Sequence, residues 1–176
     1  MSSVLLAIVN LCNQNYILCE VRSDLVEQPG EICLPGGHRN EGESIEETAL
    51  RETMEELAIP AEYIQLTGES FAREMNDGRV VNAVIAVLDR QALASIRRQE
   101  SEVAGWFLLP INWLRNHPAE EYDYSKPDLM PEKLKSYLEG YYSSSLEGKT
   151  LCWDYEGRIV WGLTAGIINQ FLSEYR

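Results

Sequence analysis

Apolar and polar positions alternate along this chain in blocks that read as a mixture of strands and helices. Val4-Leu5-Leu6-Ala7-Ile8-Val9 is a continuous apolar run suited to a buried strand. Asn13-Gln14-Asn15 reads as a hairpin turn, and Tyr16–Arg22 as the returning strand. Glu31–Leu34 predicts a short strand broken by Pro35-Gly36-Gly37. After the helix described next, Tyr63–Gly68 and Glu69–Glu74 suggest a strand pair, or a strand and a loop. Asn76-Asp77-Gly78 signals a turn, and Arg79–Leu88 a long strand. Leu93–Glu100 is a short helix or an irregular connection, and Glu102–Leu108 another strand. Ile111–Asn116 reads as a helix stopped by Pro118. Pro118–Pro131 is the one stretch that looks like a long loop, and its tyrosines suit a substrate-covering lid or a plain surface loop. Glu132–Glu139 predicts a helix, Lys149–Asp154 with Arg158–Trp161 a hairpin, and Thr164–Tyr175 a final helix.

The most informative stretch runs from Gly37 to Ile59. Ser44 is a natural N-cap, and Glu47 three residues on completes a capping box. Ile59-Pro60 ends the helix. At about 100° per residue, Glu52, Glu55 and Glu56 fall on one arc. Like charges at these spacings oppose a helix by a few tenths of a kcal/mol per pair, so the arrangement makes better sense facing a cation. Ala49, Leu50, Thr53, Met54 and Leu57 project on the adjoining arc and are expected to pack on a sheet. Glu47 and Arg51 are also spaced as an i,i+4 pair.

Totals narrow the function classes. A chain of 176 residues is read as one domain, residues 1–176, with room for a sizeable core. A net charge of −13 argues against nonspecific nucleic-acid binding and against an anionic membrane surface. The four cysteines form no CxxC or Cys/His cluster, which argues against zinc and fits small buried hydrophobes in a reducing cytosol. Val4–Val9 is too short to span a membrane, so a cytoplasmic soluble protein is expected.

Gly37, Glu43, Arg51, Glu52, Glu55 and Glu56, at their spacings, resemble the Nudix box. Thr53 stands where that box has an aliphatic residue and Ala58 where it has a glycine. Alanine disfavours positive φ, which speaks against a left-handed cap at Ala58. The resemblance implies an α/β fold, a Nudix-type α/β/α sandwich with a curved mixed β-sheet. It implies Mg²⁺ or Mn²⁺ held by Glu52, Glu55, Glu56 and the Gly37 carbonyl, in a hydrolase that cleaves a diphosphate linkage with water. Glu43 would pin Arg51 as scaffold. The base would be a box glutamate or a carboxylate from elsewhere, with Glu102 and Glu100 as candidates. Arg22, Gly36, Gly37 and Arg73 are read as substrate-binding candidates. The partner implied is a small-molecule nucleotide diphosphate, with no nucleic acid and no membrane. Family members are commonly dimers, which leaves a homodimer open.

A narrower likeness joins Leu18–Ser23, Gly30–Gly37, Glu102-Val103 and Ile159–Ala165 to the coenzyme A diphosphatase-like subgroup. Coenzyme A or a derivative is therefore the first substrate expected. The loop Asp24–Pro29 lacks the basic side chains that would hold a 3′-phosphate, and carries Asp24, Glu27 and Gln28 instead. ADP-ribose, a dinucleotide or a damaged nucleotide stays open for that reason, as does a ligand sensor without turnover.

Overall fold

A computed structural model describes residues 1–75, 78–139 and 147–175. The strands are β1 (Ser2–Leu11), β2 (Gln14–Arg22), β3 (Ile32–Cys33), β4 (Gly36–His38), β5 (Ile64–Glu74), β6 (Val80–Leu88), β7 (Val103–Pro110), β8 (Glu120–Asp123), β9 (Lys149–Tyr155) and β10 (Arg158–Trp161). The α-helices are α1 (Ile45–Leu57), α2 (Ala92–Ser95), α3 (Ile111–Asn116), α4 (Glu132–Glu139) and α5 (Gly162–Glu174). The first seven strands form one mixed sheet, and β8, β9 and β10 a second, antiparallel one. Among the described residues, only the β1–β6 pair is parallel, from Ser2↔Val81 to Val9↔Leu88.

The start of the chain sets the geometry of everything that follows. Cys12 and Asn13 both take positive φ, 51° and 64°, and turn β1 tightly into β2. The two strands pair only from Ile8↔Ile17 to Leu11↔Gln14. Beyond that they part, and residues 32–38 fill the gap. There β3 pairs with β2 through Glu20↔Cys33, and β4 pairs with β1 through Ser3↔Gly37. The Leu5 N–H donates to Pro35 O at 2.8 Å in between. Pro35-Gly36-Gly37, expected to break a strand, thus ends one strand and opens another.

Alternation along the strands gives the sheet two apolar faces. Leu6, Ile17, Cys19, Val81, Ala83 and Ile85 meet Ile167, Ile168 and Phe171 of α5. Leu5, Ala7, Val9, Leu18, Val84 and Ala86 meet Ala49 and Leu57 of α1. A third apolar cluster joins Met130, Leu134, Cys152, Ile159 and Trp161 beside the smaller sheet. The sheet lies between α1 and α5, as an α/β/α arrangement requires.

Several expectations change in detail. Ile64–Glu74 makes one strand, with an irregularity between Leu66 and Ser70, instead of two. Pro118–Pro131 is not an open loop. Its β8 pairs with β9 from Glu120↔Cys152 to Asp123↔Lys149, and Met130 is buried. Backbone pairing anchors the stretch, so the lid reading loses its basis. Cys12 is exposed, unlike the other three cysteines, because it occupies the hairpin turn. Residues 76 and 77 of the expected Asn76-Asp77-Gly78 turn lie outside the described residues. Among the described residues, no helix is long and apolar enough to cross a membrane.

Candidate active site

Helix α1 begins as its sequence dictates. The Glu47 N–H donates to Ser44 Oγ at 3.1 Å, and the Ser44 N–H to Glu47 Oε2 at 2.8 Å. This reciprocal cap occupies Glu47, and Arg51 turns elsewhere. Its Nε and Nη2 form a fork on Glu43 at 2.7 and 3.1 Å. Nη2 also donates to His38 O at 2.9 Å, and Nη1 reaches Glu52 at 2.9 Å and Glu55 at 3.0 Å. One guanidinium thus ties the segment before α1, strand β4 and the helix together. The Arg51 fork, reinforced by the Asn40 N–H and the Thr48 hydroxyl, holds Glu43 down to a pKa of about 2.

The C-terminus of α1 corrects the expectation about Ala58. This residue does adopt the left-handed conformation, φ 55° and ψ 30°, and its N–H donates to Met54 O at 2.9 Å. The helix closes as the glycine-bearing box would close, with a methyl group in a strained region. Thr53 is fully buried and its hydroxyl donates to Ala49 O at 2.7 Å, so the polar atom at this packing position is satisfied. Met54, placed on the packing arc above, is half exposed.

The three helix carboxylates have different surroundings. Glu55 is exposed apart from its pair with Arg51. Glu52 lies against Gly37 so closely that a Cβ at position 37 would overlap its carboxylate. Burial raises the Glu52 pKa, against the pull of Arg51. Glu56 is only 7% exposed and accepts the Gly36 N–H at 2.8 Å. Burial raises its pKa too, and the charges of Glu52 and Glu102 add to the effect against that hydrogen bond. Gly36 sits at φ 153°, and a Cβ there would strike the backbone of Ser3 and Val4. A side chain at 36 would therefore disturb the sheet, whereas one at 37 would displace only the end of Glu52.

Of the residues singled out from the sequence, Gly36, Gly37, Glu43, Arg51, Glu52, Glu55 and Glu56 come together. Glu102, just before β7, joins them through its field on Glu52 and Glu56. Glu100 stands apart, exposed and 3.9 Å from Arg98. Arg22 also acts on Glu56, while its Nε donates to Glu27 O at 2.7 Å. Arg73 is not brought to this cluster. Its guanidinium lies against Gly166 of α5, with Nη1 3.4 Å from the Gly166 carbonyl, on the side of the sheet away from α1.

Sequence reasoning missed Glu20. This residue is 1% exposed in the middle of β2, on the α1 side with Leu18. Burial pushes its pKa well up, and Glu56 is the largest charge adding to that. Its Oε1 has no hydrogen-bond partner among the described residues. A carboxylate interrupting the apolar run Ile17-Leu18-Cys19-Glu20-Val21 was the available signal.

The donors fit a hard divalent cation. They are all oxygens, negative charge exceeds the arginines facing it, and one buried carboxylate oxygen is orphaned. Among the described residues, no three His, Cys, Asp or Glu side chains are already gathered around one point. Arg51 draws Glu52 and Glu55 toward itself instead.

Comparison with known proteins agrees with this construction. A family model described as the NUDIX domain matches residues 3–131. Nudix hydrolase 3 of Caenorhabditis elegans is 36% identical over 115 residues, which is 64% of this chain and 48% of that protein. The chain thus spans about half the length of that relative. The uncharacterized Nudix hydrolase NudL of Pectobacterium atrosepticum is 31% identical over 176 aligned positions, covering 96% of this chain and 79% of the relative. Among solved structures, a C. elegans Ap4A hydrolase binary complex has a TM-score of 0.56 at 17% identity, covering 80% of this chain and 95% of that one. RenU, a Nudix hydrolase of M. smegmatis, gives 0.52 at 20% identity over 66% of this chain and 76% of that one. These two show the fold. With the family model spanning most of the chain and the Glu43–Arg51–α1 construction in place, this chain belongs to the Nudix hydrolase family.

Proposed function

We propose that this chain is a divalent-cation-dependent hydrolase that cleaves the diphosphate linkage of a nucleoside diphosphate joined to another group. The observation that carries this reading is the surplus of carboxylates between α1 and Gly36-Gly37, with Glu56 buried and Glu52 pressed on Gly37. Glu52, Glu55, Glu56 and the Gly37 carbonyl would hold Mg²⁺ or Mn²⁺. When bound, such a cation neutralises a diphosphate and makes water more acidic.

The chain's own groups divide the remaining work. Glu102, whose charge bears on Glu52 and Glu56, would take the proton of the attacking water. The water oxygen bonds to one phosphorus as the bridging P–O bond breaks, and the released phosphate carries away the bond's electron pair. Arg51, forked on Glu43, fixes the helix against β4 and keeps Glu52 and Glu55 oriented. Arg22 borders the cluster as a cation for substrate phosphate.

Coenzyme A or a derivative remains the first substrate class, on the likeness of Leu18–Ser23, Gly30–Gly37 and Ile159–Ala165 to that subgroup. A second enzyme reading takes ADP-ribose or a dinucleotide. It is favoured by the loop after β2, where Arg22 Nε is already bonded to the Glu27 carbonyl and the neighbouring side chains are Asp24, Glu27 and Gln28.

The test is product identification by mass spectrometry after incubation with coenzyme A, ADP-ribose, NADH and a diadenosine polyphosphate. Each is run with Mg²⁺, with Mn²⁺ and with EDTA. Cation-dependent 3′,5′-ADP and phosphopantetheine from coenzyme A are the expected products. AMP from one of the other compounds would move the substrate to the second reading. Ligand binding without any turnover would replace hydrolysis by a sensor role.

A further inference from the structure

Glu20 has no part in the box, yet it is the most deeply buried carboxylate beside it. Strand β2 presents it next to Cys33 of β3 and Trp106 of β7, to which it is registered directly. Its Oε2 has only the weak thiol donor of Cys33, at 3.9 Å, and its Oε1 has nothing. No ion pair to Glu20 is present among the described residues. Arg22, the nearest strand neighbour with a positive charge, spends its Nε on the Glu27 carbonyl. Chains place a carboxylate in such a position at a cost unless something positive meets it. The side chain shares the α1 face with Glu56, and the charges of Glu56 and Glu102 both bear on it.

We propose that Glu20 is a further ligand of the divalent-cation site, meeting from the sheet side the cation that Glu56 meets from the helix. This rests on the reading of α1 as a cation site. The oxygen that has no partner in the protein then acquires one, and the cation gains an anchor on the rigid sheet in addition to those on the helix. A hard cation that prefers six or more oxygens has use for such a ligand. Glu20 also connects the site to the start of the Arg22–Pro29 loop, because the Arg22 N–H donates to Glu31 O and the Gly30 N–H to Arg22 O. Cation binding at Glu20 would steady the strand end that carries that loop.

The test is Mn²⁺ binding by the full chain without substrate, read by electron paramagnetic resonance and by calorimetry. Wild type, Glu20→Gln, Glu20→Asp and Glu56→Gln are compared, with thermal unfolding in EDTA as the fold control. Glu20→Gln is expected to unfold at or above the wild-type temperature in EDTA and to bind Mn²⁺ about ten- to a hundredfold more weakly. Glu20→Asp, with a shorter reach, is expected to fall between. Wild-type affinity in Glu20→Gln together with lost affinity in Glu56→Gln would overturn the role of Glu20 and leave the α1 site standing. Should Glu20→Gln fail to fold, unchanged affinity in Glu20→Asp would overturn the role instead. No Mn²⁺ binding by wild type would overturn both.

Discussion

The two faces of the large sheet are built from the same strands and differ in one respect. On the α5 face the polar atoms buried with the apolar residues have partners. Thr164 Oγ1 donates to Ile32 O at 3.1 Å, Trp153 Nε1 to His117 O at 2.7 Å, and Arg73 reaches the Gly166 carbonyl. On the α1 face, apolar packing by Ala49, Leu57 and Leu18 gives way at one end to Glu20, Glu52 and Glu56, which are raised in pKa by burial. Two buried oxygens there, Ser3 Oγ and Glu20 Oε1, have no partner among the described residues. One face is finished by the chain itself, and the other leaves buried oxygens without a partner among the described residues. Composition does not separate them; satisfaction of polar groups does.

That contrast breaks if an α5-face truncation harms chemistry as directly as it harms stability. Phe171 is 5% exposed among the α5-face residues. Phe171→Ala is expected to cost about 3–5 kcal/mol of stability by denaturant unfolding, with little change in activity per folded molecule. Next in size is Gly37→Ala on the opposite face. The new methyl displaces the Glu52 carboxylate and touches no backbone within the closest contacts. The fold should survive by circular dichroism while kcat falls roughly 10²-fold, the cost of misplacing a reacting constellation by about an ångström. Gly36→Ala, by contrast, is expected to unfold the sheet end, since its neighbours are the Ser3 and Val4 backbone.

A pH series sharpens the same difference. Glu20, Glu52 and Glu56 have raised pKa values in the folded protein, so the stability linked to them is fully present below the ordinary carboxylate value of 4.5. It is lost as pH rises through the raised values. Glu43 works in reverse. Its value of about 2 gives stability above the ordinary range that is lost as pH falls toward 2. In EDTA the melting temperature should therefore decline on both sides, with the alkaline decline removed by saturating Mg²⁺, which binds the deprotonated carboxylates. An alkaline limb indifferent to Mg²⁺ would separate the acidic cluster from cation binding. The smallest expected effect is Ala58→Gly, which relieves the left-handed alanine and should raise stability by about 1 kcal/mol.

How much of this was legible in the sequence depends on the distance over which each signal acts. The α1 cap at Ser44 and Glu47 is written within four residues and was readable directly. So were the strand–strand–helix alternation and the Glu43–Arg51 pairing implied by the box. The strand β4 was not, because its pairing of Gly37 with Ser3 is made across the chain, and two glycines after proline look locally like a break. Residues 118–131 misled for the same reason: Tyr122 pairs with Thr150, far along the chain, and nothing nearby marks it as a strand. At the site, helical periodicity put Glu52, Glu55 and Glu56 on one arc but could not grade them. Glu56 is buried and Glu55 exposed because Gly36 approaches only one side of α1. Met54 is exposed on the far side of that same helix. Arg73 was a reasonable phosphate candidate by charge, and its strand position turns it to α5 instead.

The central claim is that the incompletely satisfied α1 face performs the chemistry. It is tested most directly by the hydrolysis rate of Glu56→Gln in Mg²⁺, measured on the best substrate of wild type. Glutamine keeps the shape and an acceptor for the Gly36 N–H, and removes a buried charge. A loss of roughly 10²–10³-fold in kcat is expected, with a melting temperature in EDTA equal to or above that of wild type. A variant that hydrolyses at the wild-type rate would contradict it, and would return Glu56 to the role of a structural acceptor for the backbone of β4.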